Sequence, residues 1–345
     1  MPETPESIKA ELKALAHKLG CQLFGVGAVP ELEPNSEHFL QWTRSGAHGQ
    51  MHWLERSNER RLYPQAVFPG ARSVIVVGLN YQGTPKKSPQ GLSLARYAQG
   101  KDYHNVLMKK LKSLCAALSA HGADNKPYVD TGPVMEKAFA ERAGLGWQGK
   151  NTLLVAPQFG SWLFLGIIFT TLKLPPDAPA KKHCGTCSAC VQACPTGALD
   201  GTGVLDARRC LSYLTIEYKG ALPPWAMAAI GGCVAGCDRC QKACPFGQKC
   251  PPSNEPAFAP RAPLPDAAEI FEWSEADFDW HFEGSGVRRV GLDTFKRNVA
   301  AALGNTGDTD ALPALDFLEK STHNEAVRAA ASWAKNEILS RAARS

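Results

Sequence analysis

An α/β domain, then a cysteine-dense segment, then a helical tail is the fold class this sequence predicts, on three observations. Strand and helix periodicities alternate from the N-terminus to about Leu174. Cysteines then crowd between Cys184 and Cys244, bracketed by Pro175-Pro-Asp-Ala-Pro179 on one side and Pro251-Pro252 on the other. Helical spacing returns at Ala300 to Leu303, Leu312 to Leu318 and Val327 to Leu339, a pattern like one degenerate helical repeat.

Taken in order, residues Ser7 to Leu19 place Ile8, Leu12, Leu15 and Leu19 at helical spacing, closed by Gly20. A strand is expected from Cys21 to Val26. Its Gly25-Val-Gly27 pair reads as a simple turn, since no third glycine follows at dinucleotide-binding spacing. Gly49 to Leu54 and Arg60 to Pro64 are polar loop segments with arginines, and Ser73 to Leu79 is a buried strand. The alternation that follows argues crossover connections within one layer. Ala95 to His104 opens a helix whose interior holds Val106, Leu107, Leu111 and Leu114. Tyr128 to Pro133 carries Asp130 on a loop before the next helix, where a carboxylate serves either as N-cap or as catalytic acid. Gly144 to Asn151 is a glycine-rich turn entering a strand at Thr152 to Ala156. It is either a plain connection or a place where backbone approaches a large planar ligand. Ser161 to Leu172 is the longest apolar run, too short to span a bilayer and best read as a buried strand. Gly304 to Asp308 separates the first two tail helices.

The cysteines fall into two runs, Cys184-x-x-Cys187-x-x-Cys190-x-x-x-Cys194-Pro195 and Cys237-x-x-Cys240-x-x-x-Cys244-Pro245. This is the spacing of a two-cluster bacterial ferredoxin, in which the fourth cysteine of each run ligates the other cluster. Crossed ligation gives Cys184, Cys187, Cys190 and Cys244 to one 4Fe-4S cluster. The second receives Cys194, Cys237 and Cys240 and lacks one ligand. A regular repeat would put it at Val234, so Cys233 and Cys210 both stand open. Structural zinc fits less well, because zinc normally takes two separated pairs. Disulfides fit less well again, because no signal peptide is recognisable.

At 345 residues and a formal charge of +5, the chain has room for two or three domains and permits an anionic partner without demanding one. Thiolates available for iron point to a reducing cytoplasm. Cys21, Cys115, Cys250 and the spare of Cys210 and Cys233 read as small apolar residues. Arg288, Arg289, Lys296 and Arg297 concentrate positive charge ahead of the tail, by default on a solvated helix face.

Ferredoxin-type clusters move single electrons, so the front domain must hold the cofactor on which they are used, one able to gather two, such as a flavin or a corrinoid. No Asp-x-His-x-x-Gly segment, the usual lower-ligand signature for a corrinoid, occurs. Arg96-Tyr-Ala-x-Gly-x-Asp-Tyr-His104, Val129-Asp-Thr-Gly132, Glu141-Arg-Ala-Gly-Leu-Gly-Trp147, Gly149-Lys-Asn151, Gly160-Ser-Trp162, Arg208-Arg-Cys-Leu-Ser-Tyr-Leu-Thr215 and Gly236-Cys-Asp-x-Cys240 together resemble the epoxyqueuosine reductases, from the first helix to the tail. That resemblance implies a cytoplasmic, cobalamin-dependent enzyme of queuosine synthesis that removes the epoxide oxygen from epoxyqueuosine at the tRNA wobble position. It implies a nitroreductase-like cobalamin domain at 1–175, a two-cluster ferredoxin-like domain at 176–252 and a linker with a HEAT-like helical region at 253–345. An external electron donor, a monomeric state and no membrane are expected with it. Carried over residue by residue, it makes Cys210 the missing ligand and Cys233 the spare, although Gly231-Gly-Cys233 departs from the Asn-Arg pair common in the family. It makes Asp130 the proton donor, with its pKa expected to be raised by burial. It lines the corrin with Arg61, Leu154, Leu165, Ser212 and the Cys237-Asp238 backbone, with Asn151 in the same pocket. Lys219 falls near the tRNA, and Arg288, Arg289, Lys296 and Arg297 become candidate phosphate contacts. Rival readings are a corrinoid reductive dehalogenase relative and an electron-carrier subunit whose front domain only docks a partner.

Overall fold

The first helix begins where its caps dictate. Thr4 Oγ accepts the backbone N–H of Ser7, Ser7 Oγ accepts that of Thr4, and Pro5 occupies the first turn. In this computed structural model, which describes residues 4–30, 35–86 and 88–344, that helix is α1 (Pro5–Lys18). Ile8, Leu12 and Ala16 turn inward from it. They meet a sheet of β1 (Leu23–Ala28), β2 (Ser73–Asn80), β3 (Asn125–Tyr128) and β4 (Leu163–Thr170), ordered β1-β2-β4-β3. Every neighbouring pair is antiparallel. The expected crossover exists, but not between neighbours. α2 (Tyr103–Ala120) carries the chain from β2 over a gap that β4 fills later, so β2 and β3 run parallel with β4 between them.

β2 is buried along its whole length, and its side chains divide with period two. Ile75, Val77 and Leu79 pack with α1 and the Leu107, Leu111, Leu114 and Leu118 stripe of α2. Val74 and Val76 pack on the opposite face with Phe139 and Ala140 of α3 (Glu136–Arg142). Gly25 and Gly27 are not a turn: both lie within β1. A Cβ on Gly25 would stand 2.1 Å from the carbonyl oxygen of Ala143, so glycine is there to let the end of α3 touch the strand.

The cysteine segment is built of short pieces: four-residue helices at Ala189–Gln192, Arg239–Lys242 and Pro245–Gln248, helix α4 (Leu211–Ile216), a seven-residue helix at Pro224–Ile230 and a short strand Cys233–Ala235. That strand pairs in parallel with Ser93–Leu94 of the first domain. The tail is α5 (Leu292–Thr306), α6 (Leu312–Ser321) and α7 (Glu325–Ala342). Gly304 does not break α5. It stays helical under the Trp333 ring, which a Cβ there would meet at 2.4 Å. One apolar interior joins Leu92, Leu211, Ile230 and Val234 to Phe295, Val299, Leu303 and Ile338, running across position 252. The proline-rich stretch after Pro252 lies along the first domain as a strap. Ser253 bonds the carbonyls of Asn80 and Gln82, Ala257 O accepts Lys101 N, and Phe258 is buried.

Arg297 departs most sharply from expectation. It is 1% exposed and donates to the carbonyls of Leu214, Tyr218 and Gly220. Beside it Asn298 Nδ2 donates to Thr215 O and Val234 O. All but Val234 O are carbonyls of α4 and its exit turn, and Val234 O belongs to the strand beside them, so the tail caps the cysteine segment from inside. Burial holds the guanidinium down to about 10, and its side chain has no path to a phosphate. Arg297→Met, which keeps volume but orphans these acceptors, is expected to cost about 3 kcal/mol of stability. A lower unfolding midpoint at unchanged slope is the readout, and an unshifted midpoint contradicts this role.

Candidate active site

Two halves of the chain close on one cavity of about 490 Å³. Tyr81 beyond β2, Leu163 to Leu165 of β4, Asn151 to Leu154 and the Asp130 loop supply one wall. Cys194 to Thr196, Ala198, Leu199, Cys210 to Ser212, Cys237 and Arg239 to Gln241 supply the other. Three contacts fix the seam. Gln241 Nε2 donates to Tyr81 Oη and Ser161 O, both at 2.8 Å. Trp162 Nε1 donates to Gly247 O at 3.0 Å. Gly160, at φ +55°, lies so close that an added Cβ would stand 2.3 Å from Gly247 Cα.

Asp130 does not cap a helix, since the residue before α3 is Met135. It sits at φ +55° on the cavity wall, and its backbone N–H donates to Glu136 Oε1 at 2.6 Å. Its Oδ2 lies 3.1 Å from His104 Nε2, and His104 Nδ1 lies 2.6 Å from Asp102 Oδ1. Arg289 Nη2 reaches Asp102 Oδ2 at 3.2 Å and Nη1 lies 3.1 Å from His104 Nε2. Tyr103 bonds Asp130 and stacks on Phe164 at 4.1 Å. Desolvation pushes the Asp130 carboxyl up, but the bonds from His104 and Tyr103 outweigh it and leave the group below the ordinary aspartate value. The expected upward shift is therefore reversed in this state of the site. Desolvation works against charge on His104 too, yet its bonds to Asp102 and Asp130 hold it above the ordinary histidine value. Glu136 is the carboxyl that does move up: desolvation, reinforced by the Asp130 charge, takes it to about 8. The wall thus holds an Asp–His–Asp proton chain beside a second carboxyl protonated at neutral pH.

Eight of the cysteines fall into two groups by the cavity they line. Cys184, Cys187, Cys190 and Cys244 line a separate cavity of about 80 Å³ with His183, Lys150 and Phe246. Trp147 Nε1 donates to Cys184 Sγ at 3.3 Å, and Lys150 Nζ donates to the carbonyls of Gly185 and Cys187. Cys194, Cys210, Cys237 and Cys240 all line the large cavity. Ala198 N–H donates to Cys194 Sγ at 3.3 Å, a donor that suits a thiolate. Cys233 is not on that lining. It lies on its short strand in contact with Cys237.

A family model described as "Epoxyqueuosine reductase QueG, DUF1730" matches residues 61–131, and one described as "4Fe-4S double cluster binding domain" matches 183–247. The epoxyqueuosine reductase of Pseudomonas aeruginosa is 40% identical over 346 residues, covering 96% of this chain and 95% of that protein. The chain belongs to the epoxyqueuosine reductase family. The family member from Gloeobacter violaceus is 42% identical over 313 residues, 87% of this chain and 97% of its own. The crystal structure of an epoxyqueuosine reductase with an epoxyqueuosine-modified tRNA-Tyr stem loop superposes with a TM-score of 0.90 at 31% identity, over 97% of this chain and 91% of that one. A Bacillus subtilis epoxyqueuosine reductase with its aspartate catalytic loop swung out of the active site matches at TM-score 0.89 and 29% identity, again over 97% and 91%.

Of the residues that the resemblance to epoxyqueuosine reductases assigns to a corrin, Asp130, Asn151, Leu154, Leu165, Ser212 and Cys237 line the large cavity. Arg61 and Asp238 stand behind it. Arg61 is folded over Trp53, bonded to Ser57 Oγ and Val134 O. Asp238 holds the backbone N–H of Arg96 with one oxygen and keeps the other buried without a partner. Among the basic residues, Arg288 and Arg289 are half-exposed and ion-paired with Asp279 and Asp102. Lys219 is exposed, its amine resting on Ile216 O and Val290 O. Lys296 turns inward to Phe271 O and Trp273 O, so it joins Arg297 as an internal cap. The sequence reading gave no role to Asp102, Tyr103, His104 or Glu136. The first three lie in Ala95 to His104, a segment that carries more polar residues than packing requires, opens a helix and belongs to the family resemblance, but whose pattern names no proton carrier. No helix among the described residues is long and apolar enough to cross a membrane.

Because Glu136 stays protonated until the pH passes about 8, a protonated-carboxyl infrared band should titrate away through that value and be missing in Glu136→Gln. A band unchanged in the variant would assign the proton elsewhere.

Proposed function

We propose that this chain reduces epoxyqueuosine to queuosine in a tRNA anticodon, using cobalamin in the large cavity and two 4Fe-4S clusters that relay electrons from an external donor. One observation carries the reading: the Asp102–His104–Asp130 chain opens onto the same cavity whose far wall is Cys194, Cys210, Cys237 and Cys240. The walls suit a corrinoid without a protein ligand below the metal. Seven leucines and the rings of Tyr81, Tyr97, Tyr103 and Phe164 supply apolar surface among polar and cysteine side chains, and no histidine lines the cavity among the described residues. Cys184, Cys187, Cys190 and Cys244 would hold one cluster, with Cys210 completing the other. The front domain as nitroreductase-like and the tail as HEAT-like are the finer descriptions that belong to this reading.

Bound there, the corrinoid would supply reducing electrons to the strained ring at a distance the clusters could feed one electron at a time. The protein's own part is protons and placement. Deoxygenation takes two electrons and two protons, breaks both C–O bonds, releases water and leaves the alkene. As the first C–O bond opens, charge grows on oxygen, and a positioned acid lowers that barrier. On this reading Asp130 Oδ2, 3.1 Å from His104 Nε2, would pass that proton to the oxygen, with Asp102 fixing the ring through Nδ1. Glu136 holds the Asp130 backbone and keeps a second proton close by. An anticodon loop offers unstacked bases, so the modified nucleotide can enter without opening a duplex. Of the five candidate cations, Arg288, Arg289 and Lys219 remain at the surface to meet its phosphates, and binding through them would weaken with salt.

Asp130→Asn is expected to keep the cobalamin spectrum and lower the single-turnover rate about 10²–10⁴-fold. A rate equal to wild type would sink the acid role, and loss of the spectrum would make Asp130 a binding residue instead. Iron analysis separates the two spare cysteines. Cys210→Ala should lose about four irons per chain, whereas Cys233→Ala should keep all. The reverse pattern would hand the ligand position to Cys233, and an electron-carrier subunit would leave the epoxide intact with both clusters filled.

A further inference from the structure

Outside the large cavity, the turn at Gly46 to Met51 and the short helix Trp53–Arg56 bring His48, His52 and Glu55 together. His48 is 3% exposed, yet neither ring nitrogen has a hydrogen-bond partner. Its Nε2 lies 3.3 Å from Glu55 Oε1 without hydrogen-bond geometry, and His52 Nδ1 lies 3.5 Å from Glu55 Oε2. All three ligand atoms fall within 4.8 Å of one another. Two ligands held about 2.0–2.1 Å from a tetrahedral zinc stand roughly 3.3 Å apart, close to each nitrogen–oxygen separation here, and rotation of the exposed His52 and Glu55 side chains would close the wider three-atom spread onto one ion. An ordinary ion pair would align the ring N–H with the carboxylate and would not leave a buried imidazole wholly unmatched.

We propose that His48, His52 and Glu55 form a binding site for a divalent transition metal, zinc by ligand type, with water in the fourth position. None of the three lines the large cavity, so the site is separate from the chemistry there. Its place in the fold gives it a structural task. Ala47 O accepts Ala207 N at 2.8 Å, and Gln50 N donates to Tyr213 Oη at 2.7 Å. Gly49 lies so near Tyr213 that an added Cβ would stand 2.4 Å from Oη. Cys210 lies between those two anchor points, at the start of α4. Metal at His48 would therefore fix the turn on which the Cys210 end of α4 is seated.

The test uses reconstituted holoenzyme with its iron–sulfur clusters in place, given one equivalent of zinc and desalted. Expected is about one zinc per chain, with an X-ray absorption shell of nitrogen and oxygen only and a higher melting temperature than without zinc. In His52→Ala and in Glu55→Gln, which alter side chains 60% and 45% exposed and so should fold, the zinc and the thermal shift are expected to be lost while iron content is kept. Sulfur in the zinc shell, equal zinc in wild type and variants, or no retained zinc would each overturn the proposal.

Discussion

Close approach of two backbones, at Gly160 and Gly247, is the constraint on which the rest of the molecule depends. Neither position tolerates a side chain there, since a Cβ on Gly247 would meet Gln241 O at 2.8 Å and the Trp162 indole at 3.0 Å. With the seam this tight, the Gln241 amide can span from the cysteine segment to Tyr81 and Ser161. Asn80 Nδ2 reaches Pro251 O at the same joint. Electron transfer demands that donor and acceptor stay at fixed separation, and packed backbone holds a separation better than long side chains do. The sheet therefore acts less as a container than as a datum against which the cysteine loops are set.

Charge at the site follows from the same geometry. Asp130 occupies a left-handed conformation that aspartate tolerates better than most residues. The bond from its N–H to Glu136 holds it there. That posture turns its carboxylate toward His104, away from the start of α3, and exchanges a capping role for a place in a proton chain. A carboxylate stabilised in this way is a poor resting acid. A proton parked on His104 with Asp102 behind it restores donor capacity without requiring Asp130 to be neutral. The Arg289 guanidinium, 3.1 Å from His104 Nε2, opposes that proton and eases its departure.

What could be read from the sequence was whatever local periodicity or spacing encodes. The stripe of Ile8 and Leu12, the buried run of β2 and the leucines of α2 announce themselves, because burial on one face imposes a period. Cysteine spacing likewise encodes which sulfurs share a loop. Gly25 and Gly304 misled for one shared reason: glycine reads as a breaker locally, but here it serves contact with Ala143 and Trp333, far off in sequence. A charged residue carries no mark of where it points, so Arg297 and Lys296 read as surface until the carbonyls they cap are seen. The partners of Asp130 stand 26 residues before it, at His104, and only six after it, at Glu136. Nothing in a one-dimensional pattern joins an acid to a histidine at that distance. Spacing leaves the choice between Cys210 and Cys233 open for the same reason, since a ligand is fixed by where its sulfur points and not by its place in the chain.

The tail and the cysteine segment form one mechanical unit. A separately folded RNA-binding appendage would need only its own core. Here α5 shares its core with α4, and Arg297 and Asn298 fasten the turn that leaves α4. One short helical segment, Gly286–Val290, then carries both Arg288, facing outward, and Arg289, bonded to the Asp102 of the proton chain. A phosphate that drew Arg289 outward would loosen its hold on Asp102 and remove a positive charge from beside His104, raising that ring's affinity for its proton. If Arg289 meets a substrate phosphate as proposed, docking and readiness of the acid would be coupled through that single guanidinium, although the tail contributes no residue to the cavity wall.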